Sequence, residues 1–480
     1  MGAVAAACVA RFGGSRTSAV ALPLSREPPT AAANLATATL ALYSRLIAVA
    51  LAIISDFIIP DHTPEGALIS QFPAECAAAP FFRAFSRWDA AHFLTAAENG
   101  YKTEYSHAFF PLYPLLVRAI SRLLTPLFGA LLCATEIRIF AAVLLSNALF
   151  IVAACCLHAL GDRVLRDRAL ARAAACLFCV APASVFFSSA YSDATYAACA
   201  FGGMLLLEDG NHWAASFTLA AATACRANGL LNTLPLVYHR ARRVANAGGL
   251  RASSIALLAS LLQLSLVIGP YVAWQVIGYQ RVCGKDATIP TRSHRFLSPT
   301  RIAHSSEATL PPGWCDQMLP DLYAHVQKTY WGVGLFSYYQ LKQLPNFLLA
   351  TPAIMLCAGG CYSTIVTLRG RYTSVPWREL MSKGKPSSGD GARTPRALPY
   401  VANWAILSLI CLLVSNVQVT TRLVGAACPA LYWYMAELLL LRKKTNGWLS
   451  SRRWRTMLLV YLGLFTIVGT ALHSNGFPWT

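Results

Sequence analysis

Residues 38–60 read ATLALYSRLIAVALAIISDFIIP, and residues 85–101, a short way beyond, read FSRWDAAHFLTAAENGY. The first stretch is predominantly apolar over the ~20 residues that a helix needs to cross a bilayer. The second is polar, and it gathers Trp88, Asp89, His92 and Glu98 within one short segment. A span that delivers a chemically equipped loop to the far side of a membrane sets the plan of the chain.

The rest of the composition agrees. The 480 residues are 56% apolar and 13% charged, against about 25% charged in ordinary soluble domains. Further apolar runs lie near 109–131, 137–160, 170–190, 194–208, 212–238, 254–278, 346–367, 398–417, 423–441 and 456–473. They predict an all-α polytopic membrane protein with about eight to eleven transmembrane helices. No linker divides the body, so residues 37–480 are expected to form one multi-spanning domain, preceded by a disordered cytosolic tail over 1–36.

The net charge of +19 does not point to nucleic acid. Basic residues gather before the first span and in 161–172, 239–251, 369–396 and 442–455, as cytosolic loops do by the positive-inside tendency. The stretch 368–397 reads as a flexible cytosolic loop. Two polar excursions, 61–107 and 279–345, then fall on the opposite side. Simple alternation conflicts with this at 161–172, so a stretch near 109–160 is either re-entrant or not a span. Most of the 15 cysteines sit inside apolar runs and behave as small hydrophobes. Cys76, Cys283 and Cys315 lie in the two polar excursions, where a bridge among them is compatible with their placement, but its pairing is not readable. No Cys-x-x-Cys pair in a polar loop suggests zinc, and no Gly-rich loop after a strand suggests a nucleotide-binding domain.

Within 85–101, Ala84, Trp88, Ala91, Phe93, Leu94 and Ala97 recur mostly at three- and four-residue spacing. This predicts a short amphipathic helix along the membrane surface, with Asp89, His92 and Phe93 sharing a face. The second excursion carries Trp314, Tyr330, Trp331, Tyr338, Tyr339 and Lys342, a density of aromatics suited to an interfacial belt or to stacking on sugars.

The Trp88-Asp89-Ala90 triplet, His92, Ala97-Glu98, Gly100-Tyr101 and Ala108–Pro111 resemble the signature of the GPI mannosyltransferase 2 family, multi-spanning GT-C-type glycosyltransferases that use dolichyl phosphate mannose. The likeness continues through Tyr191-Ser192-Asp193, 226–230 (RANGL), 312–315 (PGWC), 326–352, 416–422 (NVQVTTR), Tyr432-Trp433 and 477–480, in order over roughly 40–480. The chain departs from the pattern at Arg87, at Asp193 where Glu is frequent, and at Gly313. The resemblance implies an enzyme of the endoplasmic reticulum membrane with luminal chemistry. It would transfer mannose from dolichyl phosphate mannose to the first mannose of a GPI-anchor precursor, the mannosylated glucosaminyl-phosphatidylinositol, through an α-1,6 bond formed by an inverting single displacement. A small membrane accessory subunit is a further expected partner. The alternatives are another dolichol-phosphate-sugar-dependent transferase, or a non-catalytic transporter or scaffold. A transporter should show repeated halves or broken helices at matched positions, which the hydropathy does not display.

A glycosyl phosphate brings its own leaving group, so transfer needs a carboxylate near the acceptor hydroxyl and cations near the departing phosphate. Asp89 is the expected base, with Trp88, His92, Glu98 and Asp193 lining the site. Glu98 either shares the work or solvates the loop. Asp193 either caps the next helix or lines the site. Arg422, ahead of Arg226 and Lys342, is the expected phosphate ligand; it resembles the Arg at the start of a late helix that contacts the lipid phosphate in related enzymes. Arg226 has the alternative of pairing with Asp193. No cofactor or metal is expected, since no DxD or His/Cys cluster accompanies Asp89.

Overall fold

Several of the long apolar runs fold as single helices, two of them across an internal proline, Pro270 and Pro352; others break, and the breaks matter more than the spans. The structure is a computed structural model that describes residues 31–62, 76–284, 289, 313–372, 394–440 and 451–479. Its helices in chain order are α1 (Ala31–Ile58), α2 (Ala79–Phe82), α3 (Asp89–Asn99), α4 (Leu112–Phe128), α5 (Ala134–Leu165), α6 (Arg168–Cys179), α7 (Asp193–Glu208) and α8 (His212–Cys225). They continue as α9 (Thr233–Ala245), α10 (Leu250–Cys283), α11 (Leu322–Trp331), α12 (Leu344–Tyr372), α13 (Leu398–Leu413), α14 (Thr420–Ala427), α15 (Pro429–Leu440) and α16 (Ser451–Ser474). Among the described residues there is no strand, as the all-α reading expects.

By length and composition α1, α5, α10, α12 and α16 can each cross a membrane, and the pair α14–α15, bent by 87°, makes a sixth candidate. The protein is therefore a multi-pass membrane bundle. The other apolar runs of the sequence fold as shorter helices. Helix α1 begins at Ala31, inside the stretch assigned to the tail, and the remainder of that tail, like most of 368–397, lies outside the described residues.

Two disulfides order the polar excursions. Cys76 is bonded to Cys133 and Cys283 to Cys315; the second joins residues flagged in the sequence, while Cys133 had not been considered. The Cys76–Cys133 bridge brackets α4, so both ends of α4 stay on the side that carries Asp89, and α4 does not cross. At the opposite end, Thr37 Oγ1 near the start of α1 lies 2.8 Å from His158 Nδ1 near the end of α5. The pair therefore run antiparallel, and 161–172 falls level with the start of α1, which removes the conflict in the alternation. Helix α10 and the second excursion return to the first: from α10 Trp274 Nε1 donates to the His107 carbonyl at 2.8 Å, and from the excursion Trp314 Nε1 and Tyr330 Oη donate to the two oxygens of Glu104 at 3.2 and 3.1 Å.

Three interruptions occur inside the bundle. After α6 the chain runs through residues 180–192, all buried and mostly irregular, before α7. Helix α8 ends at Arg226, whose φ of −160° and ψ of 145° are extended. Between α14 and α15, Cys428 is extended because Pro429 disfavours helical geometry in the residue before it. Irregular backbone at membrane depth needs partners for its polar groups. For 180–192 Arg45 supplies them from mid-α1. It is 1% exposed, and its guanidinium donates to the Ser184 carbonyl at 2.9 Å, to Ser184 Oγ at 2.7 Å and to Ser188 Oγ at 3.1 Å. A face of Phe150, 3.8 Å away, takes up its charge from the other side.

Candidate active site

The three interruptions converge. Asp193 opens α7, Arg226 ends α8, and Arg422 lies in the first turn of α14, the short helix that ends at the break with α15. Arg226 Nη1 donates to Asp193 Oδ1 at 2.6 Å. Arg422 Nε donates to Asp193 Oδ1 and Oδ2 at 3.2 and 3.1 Å, and its Nη1 donates to Asp89 Oδ2 at 2.9 Å. The result is a continuous ion chain, Asp89–Arg422–Asp193–Arg226, assembled from residues up to 333 positions apart. Arg422 is further packed against Tyr191 and Phe186, with its Cζ 4.5 and 4.9 Å from their ring centroids.

The members differ in exposure, and this separates their roles. The side chains of Asp193 and Arg422 are 1% and 8% exposed, whereas that of Asp89 is 38% exposed. Removing one partner of a buried pair costs ~3–5 kcal/mol because the other charge is stranded. Asp193 is thus a structural anchor for two arginines, and it also supplies a negative charge in the first turn of α7, where the helix dipole favours one. Asp89 is the accessible end of the chain, where a substrate group can meet it. Burial alone would raise its pKa, yet the Arg422 charge and hydrogen bond, helped by His92 and Arg226, hold the carboxyl below the usual range.

The loop before Asp89 is held under strain. Trp88, 39% exposed, has φ 56° and ψ −130°, a region that costs a non-glycine residue ~1–3 kcal/mol and persists only when its surroundings over-determine it. Those surroundings are visible. Arg87 Nη2 donates to Asp56 Oδ1 at 3.1 Å and to Asp61 Oδ1 at 2.7 Å, and its Nε donates to the Ser474 carbonyl at 3.1 Å. Arg83 also pairs with Asp56. Trp88 is therefore the residue before α3 and not part of a continuous helix from Ala84, as the periodicity had suggested. Within α3 the expected face forms: Ala90, Ala91, Phe93, Leu94, Ala96 and Ala97 are buried.

His92 stacks on Phe109, with centroids 4.7 Å apart, and meets the edge of Tyr105 at 5.6 Å. Burial lowers its pKa, partly offset by the Asp89 charge. Glu98, at the far end of α3, pairs with Arg138 at 2.7 Å and is 45% exposed, outside the ion chain. Arg226 takes the alternative foreseen for it and spends its charge on Asp193. Lys342 is exposed, on the turn Leu341–Gln343 that precedes α12, and has no contact with the ion chain. Among the described residues one group of ligand-type side chains lies close together, Cys76, Cys133 and Glu136. Its thiols are consumed by the disulfide, and Glu136 accepts from the Cys133 N–H at 2.8 Å to cap α5.

Arg45, Asp56 and Tyr191 received no role from the sequence. For Arg45 and Asp56 the signal was present, since ionisable residues inside an apolar span are costly and are kept for a reason.

A rat protein named GPI alpha-1,6-mannosyltransferase 2 is 32% identical over 500 aligned positions, covering 91% of this chain and 96% of its own. A GPI mannosyltransferase 2 of Drosophila pseudoobscura pseudoobscura is 31% identical, covering 92% and 98%. Among solved structures, an Archaeoglobus fulgidus oligosaccharyltransferase aligns with a TM-score of 0.42 at 13% identity, over 91% of this chain and 56% of its own. The sequence profile of the mannosyltransferase (PIG-V) family matches residues 36–480, and the chain belongs to that family.

Proposed function

We propose that this protein is a GPI α-1,6-mannosyltransferase that moves mannose from dolichyl phosphate mannose onto the first mannose of a GPI precursor in the endoplasmic reticulum lumen. The observation that carries the reading is the ion chain: a partly exposed carboxylate and a buried guanidinium share one hydrogen bond of 2.9 Å. The 6-hydroxyl of the acceptor mannose attacks C1 of the donor sugar. Its proton passes to Asp89, and the bond from C1 to the phosphate oxygen breaks with the electron pair leaving on phosphate. Arg422 neutralises that charge. A β-linked donor and an α-linked product imply inversion, hence a single displacement without a sugar–enzyme intermediate.

The pairing of Asp89 with Arg422 gives the step an order. In the free protein the guanidinium depresses the basicity of Asp89. Donor phosphate competes for the Arg422 Nη atoms, and as it takes them Asp89 regains proton affinity. A phosphate leaving group asks little of the base, so a carboxylate suffices. Arg422 supplies at the phosphate the positive charge that a divalent ion brings to other transferases, and we propose that neither metal nor cofactor is required, so activity should persist in EDTA. Two disulfides on the Asp89 side suit an oxidising lumen. A small membrane subunit remains a proposed partner.

The test is donor-dependent mannose transfer by purified protein. Asp89→Asn is nearly isosteric and keeps a group that can accept from Arg422, so it should fold and insert while transfer falls by at least ~10²-fold, the lower range of base assistance. Near-wild-type transfer by this variant would remove Asp89 from the mechanism.

A further inference from the structure

We propose that Tyr191 is a positioning residue that fixes the gap between the Asp89 carboxylate and the Arg422 guanidinium. This rests on the reading of Asp89 as base and Arg422 as phosphate ligand. Tyr191 is 1% exposed and touches both halves of the site with different parts of its side chain. Its ring lies 4.5 Å from the Arg422 guanidinium carbon. Its hydroxyl donates to the Arg87 carbonyl at 3.1 Å. That carbonyl also accepts the Ala90 N–H at 3.2 Å, so it belongs to the turn that carries the strained Trp88 into Asp89.

The ring is itself immobilised. The Tyr191 N–H donates to the Ser189 carbonyl at 2.7 Å, and Ser146 Oγ donates to the Tyr191 carbonyl at 3.4 Å. Phe186 packs edge-on at 5.0 Å and Phe93 at 6.3 Å. Two residues further on, Asp193 grips Arg422 Nε. One short buried segment therefore holds the guanidinium by Asp193 and the base-bearing turn by Tyr191.

The consequence appears during turnover. While Asp89 is bound to Arg422, that ion pair ties the two groups directly, beside the indirect tie through Tyr191 and Asp193. Once donor phosphate displaces Asp89, the direct tie is lost; the Arg87 ion pairs still hold the loop to Asp56 and Asp61, and the Tyr191 hydroxyl sets the position of the turn, and so of the carboxylate, relative to Arg422. The ring serves ground-state binding of phosphate through Arg422; the hydroxyl serves the chemical step.

The two parts are separable by substitution. Tyr191→Phe keeps the ring and removes the bond to Arg87. Its kcat should fall ~10- to 100-fold, in line with the cost of small misplacements of a reacting group, while the KM for dolichyl phosphate mannose stays within about twofold of wild type. Tyr191→Leu removes the ring as well, and the donor KM should then rise in addition. Three results would overturn the proposal: wild-type kcat in the Phe variant, a parallel change of kcat and donor KM in that variant, or a lower yield of folded enzyme with unchanged kcat per molecule. Asp89→Asn, assayed in parallel, separates this from the underlying reading. An inactive Asn variant beside a fully active Phe variant refutes only the role of Tyr191, whereas an active Asn variant refutes the assignment of the base.

Discussion

Asp89, Asp193 and Glu98 are three carboxylates with three different environments, and their exposure and partners rank them. Asp193 neutralises two arginines inside the bundle. Asp193→Asn should therefore destabilise the fold by ~3–5 kcal/mol, the cost of stranding buried charge, read as a loss of thermal stability together with activity. Glu98 makes a half-exposed pair with Arg138, and such pairs contribute ~0–1 kcal/mol. Glu98→Gln should keep transfer within about twofold of wild type in the same assay; a loss comparable to that of Asp89→Asn would return Glu98 to the site. Arg422→Lys retains a charge but not the fork that reaches Asp89 and Asp193 together. It should raise the donor KM more than the acceptor KM, and the opposite pattern would place the acceptor on Arg422. The sequence singled out Asp89, Asp193, Arg226 and Arg422 individually; their linkage into one chain spans residues too far apart in the sequence for spacing to reveal.

At the scale of elements, the excursion after α1 is locked to its surroundings by sulfur, by ions and by buried histidine. His107, 1% exposed, stacks on Trp274 with centroids 5.1 Å apart. Burial lowers its pKa from 6.5 to about 4. A histidine depressed in the folded state binds fewer protons there than in the unfolded chain, so its contribution is complete above pH 6.5 and is lost as pH falls toward about 4. The melting temperature should decline over that interval, and His107→Gln should reduce the decline; an unchanged slope would deny the histidine this role. Asp89 acts in the same direction but lower, since its carboxyl is held below 3.8. Helix α3 was legible because its apolar face repeats at helical spacing. The broken helices were not: Arg226-Ala227-Asn228-Gly229 and Pro429 stand at the breaks, but a proline alone does not decide, since Pro270 and Pro352 lie inside continuous helices and tertiary partners select which runs break.

For the whole molecule, both disulfides and both polar excursions lie at the Asp89 end of the bundle, and the start of α1 and the end of α5 lie at the other. An Asn-x-Thr acceptor engineered into 63–75 should accordingly be glycosylated in cells, and one in 382–393 should not. The reverse pattern would put Asp89 in the cytosol and sink the luminal assignment. Because α4 is bracketed by the Cys76–Cys133 bridge, an acceptor placed near 129–131 should be glycosylated as well, which a crossing α4 would forbid.

The sequence by itself determined the class of the molecule, through an apolar content that only a bilayer can accommodate, and the family, through motifs ordered along nearly the whole chain. It also determined the buried face of α3, because that depends on residues within a few turns of one another, and it singled out Asp89 as a candidate. What only the tertiary structure decided was which charges meet. An arginine in an apolar run must find an anion or a carbonyl, and the sequence states this requirement without naming the partner. For Arg45 the partners are carbonyls and hydroxyls of 179–188; for Arg226, Asp193; for Arg422, Asp89 and Asp193 together. The cost of an unpaired charge away from water forces each of them to be paired, and the packing of helices distant in sequence selects with what.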